Sequence, residues 1–258
     1  MTALRSLAFN VLAAVWTAAL ALACLPLLVA SRRSAAWCVR LWALGLSWLL
    51  ARVVGLGYEV RGLDRLPQGP VVVAANHQSA WESIMLHRIL DDPAFVLKRE
   101  LVWLPTGWYA WRAGAIPIDR SGGAGALRAM VEAARRALGR GQSVVIFPQG
   151  TRTPPGVRRR YNPGVAALYM TLGVPVAPIA LNSGHYWGRK TFLKRPGTVT
   201  VEVLPAIPPG LGRADFLHQL TEAIEGTADR LTREAGGHIL EHNTNEGPGE
   251  NRPEERAP

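Results

Sequence analysis

Pro70-Val71-Val72-Val73-Ala74-Ala75-Asn76-His77-Gln78-Ser79-Ala80-Trp81-Glu82 is the stretch on which the fold turns. Its first half is a short apolar, β-branched run with no polar alternation, the pattern of a strand buried on both faces. Its second half is a polar loop that carries an imidazole and a carboxylate, and helical character follows from Ser79 to Leu90. A buried strand, a loop and a helix in that order are the unit of an α/β domain.

The five-residue offset of His77 and Glu82 constrains their geometry. On one continuous helix five residues turn about 500°, so the side chains would diverge by roughly 140°. On a strand an odd offset puts them on opposite faces. They meet only if His77 sits in the loop and Glu82 on the first turns of the helix. Glu82 then accepts a hydrogen bond from one imidazole nitrogen, fixes the tautomer and stabilises the imidazolium. The other nitrogen is free to take a proton from an alcohol, and the substrate rather than the protein supplies the nucleophile.

Downstream the strand and helix signals continue to alternate. Strands are expected at Tyr58–Arg61, Ala94–Lys98, Ala115–Ile118, Val144–Phe147, Val174–Leu181 and Thr198–Leu204, and helices at Ala124–Leu138, Pro163–Leu172 and Arg213–Arg233. Leu101 to Trp111 is rich in aromatics, which suit either a core or a membrane- or acyl-facing surface. His77, Lys98, Arg120 and Arg152 all follow strands. In open α/β sheets ligands gather at the carboxyl ends of strands, so these four are expected to converge. In Phe147-Pro148-Gln149-Gly150-Thr151-Arg152 the glycine permits close backbone approach to an anion, and the guanidinium can grip a phosphate with two hydrogen bonds. Arg158, Arg159 and Arg160 read as a solvated charge run or a membrane-surface patch.

Upstream, no charged side chain occurs from Ser6 to Ala30. Leu7 to Ala30 makes a helix of about 24 residues, against the ~20 that cross a bilayer. The run is long for the core of a cleaved signal and lacks a small-residue cleavage site. A lipoprotein signal ending at Cys24 would carry Leu where Ala21 stands, and the apolar run continues through Leu25-Pro26-Leu27-Leu28. An uncleaved anchor fits better. A second apolar stretch, Trp37 to Val54, contains Arg40 and Arg52 near its ends and reads as the other arm of a hairpin, re-entrant or interfacial. The linking Arg32 and Arg33 favour the cytoplasmic leaflet. The organisation expected is a membrane anchor over residues 1–55, a catalytic α/β domain over 56–235 and a polar, disordered tail over 236–258.

The bulk numbers agree with this division. The 258 residues suffice for one substantial domain plus an anchor. Net charge is +10 with 19% charged residues, which favours negatively charged partners: an anionic membrane, a phosphate-bearing substrate or nucleic acid. No nucleic-acid motif accompanies the charge. The two cysteines, Cys24 and Cys38, lie in apolar segments, so neither a disulfide framework nor a metal site is expected. His87, His185, His218, His238 and His242 lack ligand spacing and read as structural or exposed.

Four segments in order resemble the glycerolipid acyltransferases of the 1-acyl-sn-glycerol-3-phosphate acyltransferase type: Asn76-His77-(x4)-Glu82, Gly114 to Arg120, Phe147 to Arg152, and Val174-Pro175-Val176-Ala177-Pro178. Order and spacing agree over roughly residues 58 to 208. The resemblance implies a mixed sheet flanked by helices, preceded by a two-helix membrane motif. It makes His77 the general base and Glu82 its orienting carboxylate. Arg120, Arg152, Gly150 and Thr151 would bind a lysolipid phosphate with help from Lys98, and Val174 to Pro178 would shape the acyl site. The donor would be acyl-CoA or acyl-carrier protein, the acceptor the free sn-2 hydroxyl of 1-acyl-sn-glycerol-3-phosphate, and the product phosphatidic acid at a bacterial-type inner membrane. No metal or other cofactor is implied. Two positions depart from the family pattern. Glu82 stands where Asp is usual, and one extra methylene still reaches an imidazole. Gln149 stands where Glu is usual, which removes a negative charge beside the expected phosphate site. Another lysolipid acceptor, such as a lyso-ornithine lipid, and a non-catalytic anionic-lipid-binding protein are the alternatives.

Overall fold

The computed structural model describes residues 1–237. The tail expected over 236–258 lies, from residue 238 onward, outside the described residues, as do His238 and His242.

Two apolar helices come first, α1 (Thr2–Ala23) and α2 (Arg32–Leu49). The first ends seven residues before the expected Ala30. Pro26 has no N–H to continue the ladder, so the chain tightens into a 3-10 turn over Leu25–Leu28. The second starts five residues before the expected Trp37, because the Ser31 hydroxyl accepts the Ser34 N–H at 3.2 Å and caps the helix. It runs on through a π turn over Leu50–Val54. Both arms are long and apolar enough, by length and composition, to cross a membrane.

The alternating part follows as β1 (Leu56–Arg61), β2 (Val72–Ala75), α3 (Trp81–Ile89), β3 (Ala94–Lys98), α4 (Pro105–Arg112), β4 (Ile116–Ile118), α5 (Gly123–Gly139), β5 (Val144–Ile146), α6 (Pro163–Leu172), β6 (Val176–Leu181), α7 (Ser183–Tyr186), β7 (Gly197–Val203) and α8 (Arg213–Glu234). Every strand expected from the sequence is present, with ends shifted by one or two residues. α4 and the four-residue α7 are additional.

Seven strands make one mixed sheet in the order β1-β7-β6-β2-β5-β3-β4. β2 lies parallel to both β5 and β6, with Val73 opposite Val145 on one side and Ala177 on the other. β3 is parallel to β5 and to β4. β7 runs antiparallel to β6, and β1 parallel to β7. The carboxyl ends of β2, β3, β4, β5 and β6 therefore open at one edge of the sheet.

The absence of polar alternation in β2 has its reason here. Val71, Val73 and Ala75 pack with α1, α2 and α3 on one face, while Val72 and Ala74 pack with α5, α6 and α8 on the other. Both faces are covered, so both sets of side chains are apolar.

The N-terminal hairpin lies along the domain rather than projecting from it. Leu46, Leu49, Leu50 and Val54 belong to the same core as β2 and β6. At one end of the hairpin, Ser6 Oγ accepts the Lys194 N–H at 2.9 Å, and the Lys194 amine donates to Asn10 Oδ1 at 2.8 Å. That amine sits over the Phe9 and Trp187 rings, and burial holds its pKa below the usual lysine value. At the other end, Arg112 donates to the Leu28 and Ala30 carbonyls at 2.7 Å each, and Arg32 grips Asp92 at 2.8 and 2.6 Å. Cys24 and Cys38 are buried free thiols in a small cluster with Tyr109.

The outer face is apolar and bare. Leu4, Leu7, Val11 and Val15 on α1 and Trp37 and Trp48 on α2 are exposed. The aromatic segment divides between the two roles open to it: Trp103, Trp108 and Trp111 are exposed, whereas Tyr109 is buried and donates to the Ala21 carbonyl. An apolar surface of this extent marks a membrane-associated protein.

One close contact between the two arms depends on a glycine. Trp16 Nε1 donates to the Trp42 carbonyl at 3.2 Å and Trp42 Nε1 to Thr17 Oγ1 at 3.0 Å, and the Trp16 indole lies where a Cβ on Gly45 would be. Gly45→Val is expected to separate the helices, cost about 1–3 kcal/mol and lower the thermal midpoint of the detergent-solubilised protein by several degrees.

Candidate active site

Glu82 organises the site. It stands in the first turn of α3 and is fully buried. Its Oε1 accepts the Gln78 N–H at 2.6 Å, the Ser79 N–H at 2.7 Å and a hydrogen bond with His77 Nδ1 at 2.8 Å. Its Oε2 accepts the Ser183 hydroxyl at 2.7 Å. A buried carboxylate is tolerable when its lone pairs are met and it lies at the positive end of a helix, and both conditions hold here. The glutamate folds back on the loop just before the helix, so the extra methylene is taken up within the turn.

The rest of the His77 loop is fixed from three sides. Asn76 mimics a backbone amide: its Nδ2 donates to the Leu181 carbonyl at 2.8 Å and its Oδ1 accepts the Leu181 N–H at 2.9 Å, which extends the β2–β6 pairing by one step. The Gln78 side chain accepts the Gly184 N–H at 3.0 Å. The His77 backbone is held at both ends, its N–H donating to Gln149 Oε1 at 2.6 Å and its carbonyl accepting the Thr153 N–H at 2.7 Å. The imidazole stacks on Phe147, ring centroids 4.2 Å apart and planes 13° apart. With Nδ1 on Glu82, Nε2 is the ring nitrogen without a partner among the described residues. The side chain is 17% exposed, so that nitrogen is reachable.

His77 lines a cavity of about 840 Å³ whose walls are mostly apolar. This is the size of a pocket for a drug-sized or larger ligand. One part is bounded by β-strand ends and loops, with Phe147, Pro148 and Gly150. Another is bounded by the hairpin and α4, with Leu20, Ala21, Val39, Trp42 and Tyr109. Lys98, Asp119 and Arg120 also line it.

Of the four residues expected to converge, His77, Lys98 and Arg120 line one cavity and Arg152 does not; Gly150 lines it too, and Glu82 reaches it through His77. Lys98 and Arg120 follow β3 and β4, next to each other at the open edge. Lys98 pairs with Glu100 at 3.2 Å, and Asp119 with Arg99 at 3.2 Å. Arg120 has no ion pair among the described residues; its neighbour Asp119 is engaged elsewhere. Gly150 adopts φ +69°, a left-handed conformation, and the Asn162 side chain occupies the place of a Cβ. Thr151 and Arg152 follow it but are not in the cavity wall. Arg158 is tied to α8 through Glu222 at 3.2 Å and Asp229 at 3.4 Å rather than left as part of a free patch.

Two expectations are corrected. Val174 to Pro178 does not line the cavity; its strand part sits in the middle of the sheet and holds β2. Gln149 does not face a phosphate site. Its side chain is buried and bridges His77 N–H to Glu225 Oε1, to which its Nε2 donates at 2.9 Å. His87, expected to be structural or exposed, stands in the cavity wall.

Glu225, on α8, also accepts the Tyr161 hydroxyl at 2.8 Å. Burial pushes its carboxyl above the usual range and the Tyr161 phenol upward as well. Ser183, Glu225 and Tyr161 were not singled out in the sequence. The rule that selected Lys98 and Arg120 reaches Ser183, because β6 is parallel to β2 and ends two residues earlier. Nothing local marks Glu225, which lies on the exposed-looking amphipathic helix and comes to the site only through packing.

Comparison with known proteins follows the same lines. The family profile described as Acyltransferase matches residues 57–182. A 1-acyl-sn-glycerol-3-phosphate acyltransferase of Pseudomonas aeruginosa is 40% identical over 170 residues, 66% of each chain. The human beta form of that enzyme is 33% identical over 190 residues, 72% of this chain and 66% of its own. A lyso-ornithine lipid O-acyltransferase of Pseudomonas aeruginosa is 31% identical over 197 residues, 69% of this chain and 75% of its own. The match thus spans just under two thirds of the length of the first two relatives. The crystal structure of the 1-acyl-sn-glycerophosphate acyltransferase of Thermotoga maritima superposes with a TM-score of 0.70 at 20% identity, covering 90% of this chain and 96% of that one. That likeness establishes the fold.

The Gln149–Glu225 contact has a test of its own. Gln149→Glu sets two buried carboxylates in hydrogen-bond contact, so one must hold a proton and its folded-state pKa rises above the unfolded value. A raised acid stabilises the fold only while protonated. The unfolding free energy of this variant, relative to the parent, is therefore expected to fall as pH rises from 5.5 to 9, by ~1.4 kcal/mol for each unit of added shift, and its thermal midpoint to fall with it. Adding Glu225→Gln restores one charge and the same hydrogen bonds, and the extra pH dependence is expected to vanish.

Proposed function

Because the chain belongs to the acyltransferase family, we propose that it moves a fatty acyl group from a thioester to the free sn-2 hydroxyl of 1-acyl-sn-glycerol-3-phosphate, forming phosphatidic acid for phospholipid synthesis. The observation that carries this reading is the His77–Glu82 pair at the wall of an apolar cavity, with Nε2 unpartnered among the described residues.

In the proposed reaction Nε2 removes the proton of the acceptor hydroxyl as its oxygen attacks the thioester carbonyl. Glu82, already bonded to Nδ1, stabilises the imidazolium. The tetrahedral intermediate collapses, the carbon–sulfur bond breaks, and the departing thiolate takes the proton from Nε2. The product ester and free thiol leave the imidazole neutral. The apolar walls keep water from the thioester, which limits its hydrolysis. Lys98 and Arg120, at the cavity wall, take the acceptor phosphate. Arg152 and Thr151 stand outside that wall, so the phosphate role implied for them passes to these two cations. Acyl-CoA or acyl-carrier protein is the donor.

The bare apolar face of α1, the exposed tryptophans and the basic charge support a protein seated on an anionic leaflet, with the hairpin lying in the interface and the α/β body on the cytoplasmic side. The hairpin is bonded to the body at both ends, which favours this seat over two upright spans.

The test is acyl transfer from a long-chain acyl-CoA to lysophosphatidic acid by detergent-purified protein. His77→Ala is expected to lower the rate by about 10²-fold or more. Arg120→Ala is expected to raise KM for lysophosphatidic acid more than it lowers kcat. A folded parent that transfers to no lysolipid would refute the proposal, and faster transfer to lyso-ornithine lipid would change the acceptor.

A further inference from the structure

The helix that carries Glu82 presents two more polar residues to the cavity. Ser83 and His87 are four residues apart on α3, so they project from one face, and both line the wall. The lining around them is apolar and includes Val39, Trp42 and Phe95. Among the described residues, neither the Ser83 hydroxyl nor a His87 ring nitrogen has a hydrogen-bond partner in the protein. No side-chain polar atom there is sealed off without one either, so these atoms open into the cavity. Burial pushes the His87 imidazole down to about 4, against a nearby Asp92 that acts the other way. At neutral pH it is uncharged and offers one donor and one acceptor.

A fatty chain that fills this chamber strips these polar atoms of water at a cost of about 1–3 kcal/mol each unless one of its own atoms meets them. Their position says which part of a ligand that is. Ser83 follows Glu82 directly. His87 is reached from His77 by three ring-to-ring steps: His77 to Phe147 at 4.2 Å, Phe147 to Phe95 at 6.1 Å, and Phe95 to His87 at 4.3 Å. Ser83, next to the glutamate that holds His77, stands at the histidine end of the cavity, and His87 stands one helical turn further along its wall, which puts the pair beside the carboxyl half of a chain that starts at His77.

We propose that Ser83 and His87 form a hydrogen-bonding subsite for an oxygen atom carried near the carboxyl end of a fatty chain. This rests on the acyltransferase reading. Two sources supply that chemistry: a hydroxyl on the donor's acyl chain, or the ester carbonyl of the chain already on the acceptor.

Calorimetric titration of the full-length protein in detergent tests this without requiring turnover. The probes are dodecanoyl-CoA against 3-hydroxydodecanoyl-CoA, and 1-acyl lysophosphatidic acid against its 1-O-alkyl analogue, which lacks the carbonyl. The parent is expected to bind the oxygen-bearing member of one pair about tenfold more tightly, and the pair that shows the preference identifies the source. Ser83→Ala and His87→Phe are each expected to reduce that preference to about twofold, and His87→Gln, which keeps a donor and an acceptor, to retain most of it. Equal Kd values within both pairs for the parent, or an undiminished preference in Ser83→Ala, would overturn the proposal. Discrimination by a protein that transfers no acyl group would keep the subsite and remove the catalytic reading. Active protein without discrimination would do the reverse.

Discussion

A carboxylate without access to water sits at the start of α3, and the arrangement around it follows from satisfying its two oxygens. Glu82 collects two backbone N–H groups, an imidazole nitrogen and a serine hydroxyl. Removing one partner would leave charge uncompensated in a medium where compensation is costly. The loop from Asn76 to Ala80 can consequently adopt few other paths, and His77 inherits its position from that limit. β6 takes part as well, because Ser183 follows it and Asn76 zips onto Leu181.

The sheet is the means by which distant helices reach the imidazole. Gln149, at the end of the strand beside β2, holds the His77 backbone with its oxygen and a carboxylate of α8 with its nitrogen. An amide can do both because it has a donor at one end and an acceptor at the other. A glutamate there could accept from His77 but would face Glu225 with a second acceptor. The departure from the family pattern at position 149 thus leaves one buried acid, Glu225, in this network where a glutamate would make two.

Much of this was legible from local pattern. Strands buried on both faces announced themselves as unbroken apolar runs, and the offset of His77 and Glu82 placed one on a loop and the other on a helix. What stayed hidden depends on distance in the chain. Glu225 is 76 residues from Gln149 and looks like any acid on an amphipathic helix. The cavity has no sequence signature, because residues from the hairpin, β3, α3, α4, α5 and the loops between them each contribute a little to its wall. His87 is a case of the same kind: it lacks metal-ligand spacing, and only Phe95 and the hairpin give it its place in the wall. The helix ends moved for reasons that are local but easily misread, since the apolar run continues through Pro26 while the backbone does not.

The hairpin is both the lipid-facing surface and one side of the chamber, since Leu20, Ala21, Val39 and Trp42 line the cavity that His77 lines. Anchor and reaction vessel share material. A mutation that adapts the outer face of the hairpin to thicker, thinner or more ordered lipid also presses on the inner face, and so on the chain lengths accommodated there. Evolution of this protein toward a new membrane and toward a new fatty-acid preference would then be one process rather than two.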